Sequence, residues 1–178
     1  TLAGTDQRIA VVATNTMLAG GAGSMTSLIY MYPRYGKPDP SILANGALAA
    51  LVAITAPCAF VTAPSAVLIS GVAGVLVVWS VFFFERTAMI DDPVGAISVH
   101  GVNGLWGILA LGLFADGTSG SGWQGVDGNV TGLFYADAGP FVYRAHGGAT
   151  YILAFCALSD RAWAAPGVVV GGTLLRPA

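Results

Sequence analysis

Four stretches of about twenty mostly apolar residues follow one another almost without interruption, and they constrain this chain more than any other feature. The first runs from about Ile9 to Tyr32 with no charged residue inside it. The second runs from about Ser41 to Thr62, the third from about Ser65 to Phe84, and the fourth from near Pro93 to near Ala115. Each matches the ~20 residues that a helix needs to cross a hydrocarbon core of ~30 Å. Only backbone bonded within its own segment is stable there, so the expected fold class is all-α, a polytopic transmembrane helix bundle. A fifth candidate, about Phe141 to Leu158, is interrupted by Arg144 and His146, and a sixth stretch, Ala162 to Leu175, is short for a span. Only the turn Thr62-Ala63-Pro64-Ser65 separates the second and third spans, which predicts a tight helical hairpin.

Composition agrees. Hydrophobic residues make up 55% of the 178, charged residues 9%, and the net charge is -2. So few charges do not cover a soluble globule, and no basic face exists for nucleic acid. The apolar content also excludes disorder. The expected surroundings are a lipid bilayer, with the chain multi-pass in a cell (plasma or inner) membrane. Cys58 and Cys156 have neither metal-ligand nor disulfide-framework spacing. The opening TLAGTDQR has no signal-peptide pattern and reads as the start of a partial or processed chain.

Loop charge sets the orientation. Arg34 and Lys37 follow the first span and Arg86 follows the third, whereas the link after the fourth holds Asp116, Asp127 and Asp137 but no base. Basic loops stay cytoplasmic, so spans one and three run from outside to inside. Tyr30, Tyr32 and Tyr35 would form an aromatic belt at the inner end. The outer link from Asp116 to Pro140 is rich in Gly, Ser and Asn and reads as an irregular loop, with a glycosylation sequon at Asn129-Val130-Thr131. Small residues recur at helical spacing, as Gly46 with Ala50, Gly71 with Gly74, and Gly101, Gly104 and Gly107, and would let helices approach closely.

Chemistry concentrates in DDPVGAISVHGVNGLWG, Asp91 to Gly107. Asp92 before Pro93 is a helix-start pattern, with Asp capping free N–H groups and Pro at the first helical position. Cation binding by Asp91 and Asp92 is the less common alternative. His100, eight residues beyond Asp92, would lie about 12 Å along that helix. An ionisable residue at such depth faces a bundle interior or a cavity. Gly101 and Gly104 keep the surrounding face thin. Two readings stay open for His100: a lining residue that passes a small protonatable solute, or an imidazole bonded to a backbone carbonyl for packing alone. Asn45 and Thr55, beside the break Thr55-Ala56-Pro57-Cys58, are weaker candidates for lining a cavity, against the plainer reading of a proline-kinked helix. Thr14, Asn15 and Thr16 suit interhelical hydrogen bonds, and Trp79 and Trp106 suit packing. No GxSxG, HExxH or phosphate-binding loop is present, and His100 alone is a metal ligand at depth. No enzyme activity, cofactor or metal is therefore expected.

These residues resemble the ammonium transporter family (Amt/Rh superfamily). NGALAALVAITAPCAFV, Asn45 to Val61, is similar to its eighth helix and SAVLISGVAGVLVVWSVFFFER, Ser65 to Arg86, to its ninth. Asp91 to Ala115 is similar to the tenth and span one to the seventh. The resemblance covers roughly Thr5 to Ala138, so residues 1–138 read as a transporter-like membrane region and 139–178 as a divergent C-terminal segment. It implies a partial form of an eleven-helix inverted-repeat fold, assembled as a homotrimer with one pore per subunit. It further implies ammonium or ammonia as substrate, His100 as the second of two hydrogen-bonded pore histidines, and a PII-type regulatory partner. The first pore histidine, the phenylalanine gate and the outer recruitment site belong to helices upstream of Thr1 in that family. Gly95 stands where the family commonly has an acid. Two other readings are an ammonium-sensing domain of a signalling protein and an inactive fragment.

Overall fold

The structure, a computed structural model, describes residues 8–37, 39–90, 92, 94–123, 126–135, 169–170 and 173–174. Three long helices open the chain: α1 (Arg8–Tyr35), α2 (Pro40–Thr55) and α3 (Ala63–Arg86). A widened π-helical turn, Ile97–Val102, then runs directly into α4 (Asn103–Phe114). Two antiparallel hairpins follow, β1 (Asp116–Trp123) with β2 (Val126–Thr131) and β3 (Val169–Val170) with β4 (Thr173–Leu174). The fifth and sixth candidate spans, with Arg144 and His146, lie outside the described residues.

Close helix packing explains the bundle. Along α1 the buried residues Asn15, Ala19, Gly23, Ser27 and Met31 recur every fourth position, a single ridge of mostly small side chains. A Cβ on Gly23 would overlap Ala50 of α2, and one on Gly74 of α3 would overlap Thr26 and the Gly23 carbonyl. A Cβ on Gly46 would likewise collide with Ser27. Gly23 is therefore the point where α1, α2 and α3 meet, as small residues permit between membrane helices. The core is correspondingly fine-grained, with Ala19, Ala53, Ile54, Ile69, Ala73 and Ala110 in one cluster and Ala49, Val77, Val78 and Val99 in another. The pair Gly46–Ala50 and Gly74 serve as the sequence predicts. In the predicted row on the fourth helix, Gly107 abuts the Ala53 backbone, whereas Gly101 is exposed and has only Ile97 of its own turn nearby.

The helix directions follow from cross-chain contacts. Tyr35 stacks on Phe82 at 4.7 Å between ring centroids, so α1 and α3 are parallel and end together. The Arg34 guanidinium lies 4.5 Å from the Tyr30 ring centroid and that of Arg86 4.8 Å from the Phe82 ring centroid, so both bases share one end of the bundle. At the other end the Asp116 N–H donates to the Phe60 carbonyl at 3.0 Å. This segregation matches the loop-charge reading. Trp106 packs as expected, donating from Nε1 to the Ile69 carbonyl at 2.9 Å. Trp79 is instead exposed, stacked on Phe83.

Two expectations, the extent of α2 and the irregular outer link, need correction. α2 stops at Thr55, because Pro57 cannot donate to the helix ladder, and a turn through Phe60 connects it to α3, which is longer than the four-residue turn predicted. Asp39 caps α2 by accepting from the Ser41 N–H at 2.8 Å. Two helices among the described residues, Ala63–Arg86 and Ile97–Phe114, are long and apolar enough to cross a membrane, while α2 is a shorter apolar helix and α1 carries more polar residues. The outer link holds a β-hairpin with Asp116 opposite Thr131, Ser121 opposite Asn129 and Trp123 opposite Val126, and the register shifts between these pairs. The hairpin escapes a sequence reading because Gly and Ser supply no alternating apolar face, and the fold is thus not purely helical.

Candidate functional site

The approach to His100 begins at Asp92. Its backbone carbonyl accepts from the Gly95 N–H at 3.0 Å, closing a turn. Its buried carboxylate reaches forward to accept from the Ile97 N–H at 3.1 Å and the Ser98 N–H at 3.4 Å. Asp92 is a cap, as its residue type predicts, yet it caps a helix that starts later than the Asp92–Pro93 pattern implies. Gly95 is the reason: its φ of +69° is a left-handed conformation that cannot continue a right-handed helix. The space is also closed to a side chain, since a Cβ there would stand 2.8 Å from Asn45 Nδ2 and 3.3 Å from Val81. Asp91 and Pro93 lie outside the described residues.

His100 consequently sits in the opening turn of its helix instead of two turns into it. Packing nevertheless puts it level with the middle of α2, because Gly95 abuts Asn45 and Gly104 abuts Val52 further along. The turn that carries it is π-helical, a geometry that recurs at functional sites. On this helix Ser98, Val99, Asn103, Gly107, Ala110 and Leu111 are buried, whereas Ile97, His100, Gly101 and Leu105 form an exposed stripe. His100 is the single titratable group of that otherwise apolar stripe. Among the described residues no group hydrogen-bonds its imidazole.

The other candidates are tied down locally. Asn45 is half-buried and donates from Nδ2 to the Val94 carbonyl at 3.3 Å, linking α2 to the turn before the π segment. Thr55 is exposed and returns its hydroxyl to the Leu51 carbonyl at 2.7 Å. Neither hydrogen-bonds His100. Gly104 faces Val52, where a Cβ would stand at an ordinary contact distance of 3.9 Å, and Gly101 lies on the exposed stripe beside the imidazole. Asn103 was not marked by the sequence. It is fully buried and donates from Nδ2 to the Ser98 carbonyl at 2.8 Å. An amide three residues beyond the histidine, in an otherwise apolar and glycine-rich run, is the signal that could have found it. No cluster of three or more metal-ligating side chains occurs among the described residues.

The chain as a whole is similar to known proteins. Ammonium transporter Amt2 of Archaeoglobus fulgidus is 44% identical over 144 residues, which is 81% of this chain and 30% of that protein. The Bacillus subtilis ammonium transporter is 36% identical over 129 residues, 72% of this chain and 30% of the relative. The chain thus spans under a third of the length of these relatives. Among solved structures, one described as a Sensor Amt Protein aligns with a TM-score of 0.64 and 31% identity, covering 85% of this chain and 38% of that one. Saccharomyces cerevisiae Mep2 aligns with a TM-score of 0.68 at 28% identity, covering 86% and 37%. The profile of the Ammonium Transporter Family matches residues 1–163, and on that match together with these relatives the chain belongs to the Ammonium Transporter Family.

Proposed function

We propose that this chain supplies the C-terminal half of a membrane pore that transports ammonium, with His100 as its hydrogen-bonding partner and proton relay. The observation that carries the reading is the lone imidazole on an exposed, otherwise apolar stripe, set on a π turn. A bare ammonium cation is costly in a low-dielectric passage, and neutral ammonia is not. Ammonium therefore gives its proton to water at the entrance, ammonia passes the imidazole, and the proton, carried along the relay, re-forms ammonium at the exit. The two ring nitrogens offer one donor and one acceptor in place of water and provide a path for the proton.

In this reading α1, α2 with its following turn, α3 and the 97–114 helix all cross the bilayer of a cell membrane, and preceding helices cover the His100 stripe. The relatives named above are about three times the matched length, which is room for those helices. Asn45 and Thr55 belong to the pore side of α2, Asn45 being half-buried and Thr55 exposed. The complete protein is a homotrimer, with a PII-type protein binding its cytoplasmic face and no catalytic turnover.

The test is His100→Ala in the full-length polypeptide, reconstituted in vesicles. We expect ammonium flux, or its selectivity over potassium, to change at least about tenfold. Unchanged flux and selectivity in a correctly inserted variant would sink the relay. The similarity to the Sensor Amt Protein favours a second reading, an ammonium-sensing membrane domain. A signalling domain following residue 178, with ammonium-dependent output and no flux, would support that reading; a natural polypeptide of only 18.0 kDa would leave an inactive fragment.

A further inference from the structure

The π turn around His100 is gripped by one residue at two points. Asn103 donates from its side-chain Nδ2 to the Ser98 carbonyl at 2.8 Å, and from its backbone N–H to the carbonyl of His100 itself. At the other end of the same segment the Asp92 carboxylate holds the Ser98 N–H. The 98–103 stretch is thus held by a side chain at each end, on the buried side, leaving the exposed side free for the imidazole.

Packing does not account for an amide at this position. Asn103 is wholly buried, and its Oδ1, like the Ser98 hydroxyl, has no hydrogen-bond partner among the described residues. A leucine shares the branched shape and would bury no unsatisfied oxygen, which is costly. What the amide adds is the bond to Ser98. A π turn is rare and occurs mostly as a single turn inside an α-helix, so a side chain that bridges it bears on which winding the segment takes. If it relaxed to α-helical winding, residues on its two sides would rotate relative to each other by about 100°. His100 would then leave the exposed stripe between Ile97 and Leu105.

We propose that Asn103 is a positioning residue for His100, its side-chain amide locking the π turn that aims the imidazole out of the helix bundle. The inference rests on the reading of His100 as the relay. Its test compares Asn103→Leu, His100→Ala and the double variant in the full-length protein in vesicles, reading ammonium flux and selectivity over potassium at matched insertion. Asn103→Leu is expected to lower selectivity by up to about a hundredfold, the double variant to lose little beyond His100→Ala, and Asn103→Gln, which keeps an amide donor, to recover part of the loss. Wild-type selectivity in Asn103→Leu, or losses that simply add, would overturn the proposal. A changed His100→Ala with an unchanged Asn103→Leu sinks this inference alone; an unchanged His100→Ala sinks the relay reading first. Should the leucine variant not insert, solid-state NMR of the unaltered protein decides. A hydrogen-bond contact from Asn103 Nδ2 to the Ser98 carbonyl is expected, and its absence overturns the proposal.

Discussion

Asn15, buried on α1, donates from Nδ2 to the Cys58 carbonyl at 2.8 Å and closes the break at the end of α2 from outside that helix. The same nitrogen donates to the Val61 carbonyl, also at 2.8 Å. The chain leaves the helix at Pro57, and two carbonyls of the irregular turn that follows are satisfied by a donor from a neighbouring helix. Asn15→Leu keeps the branched shape, is somewhat larger, and removes both bonds. We expect a loss of roughly 1–3 kcal/mol, measured by steric-trapping unfolding of the purified full-length protein in bicelles. Unchanged stability would mean that these carbonyls find other partners.

Gly23 and Gly21 make a matched pair on α1. A Cβ at Gly23 would overlap Ala50 and stand 2.5 Å from the Gly46 carbonyl oxygen, while one at Gly21 meets nothing within 4 Å. Gly23→Ala should therefore cost about 1–3 kcal/mol through overpacking. Gly21→Ala should be neutral or stabilise by up to about 1 kcal/mol, since alanine is the better helix former. Thermal inactivation of the two variants in detergent, side by side, is the check; equal behaviour would contradict the three-helix junction at Gly23.

Gly95 carries two penalties for any side chain, its left-handed φ and the nearby Asn45 amide. Gly95→Ala is expected to destabilise by roughly 1–2 kcal/mol from the backbone alone. Adding Asn45→Ala should relieve the crowding and leave the backbone share. Full rescue by the second substitution would show that crowding, and not the left-handed turn, sets the start of the helix.

Asp92→Asn keeps an oxygen acceptor for the Ile97 and Ser98 N–H groups, whereas Asp92→Ala removes it. Loss of a cap of this kind costs about 0.5–2 kcal/mol. The alanine variant should lose that much in a denaturation series, and the asparagine variant should retain near-normal stability and flux. An asparagine variant that folds normally but loses flux would revive cation binding by the aspartate pair.

Apolar run length, the side on which Arg34 and Arg86 emerge, the close-packing pair Gly46–Ala50 and the singularity of His100 were all readable from the chain alone. Each depends on properties that residues carry with them: transfer free energy, charge, size and the absence of any other titratable group nearby. Tertiary structure decided the rest. It ended α2 at Thr55 with Asn15 of another helix as the donor, delayed the fourth helix to the far side of Gly95, and sent Gly101 to the exposed stripe while Gly107 met Ala53. It also brought Asn103 back against Ser98 and paired the glycine-rich outer link as a hairpin. These outcomes depend on which donor reaches which carbonyl and which backbone approaches which, and such distances exist only once the helices have packed. Hydrophobic periodicity measures how much a segment buries; it contains no term for the partner that satisfies a broken hydrogen bond.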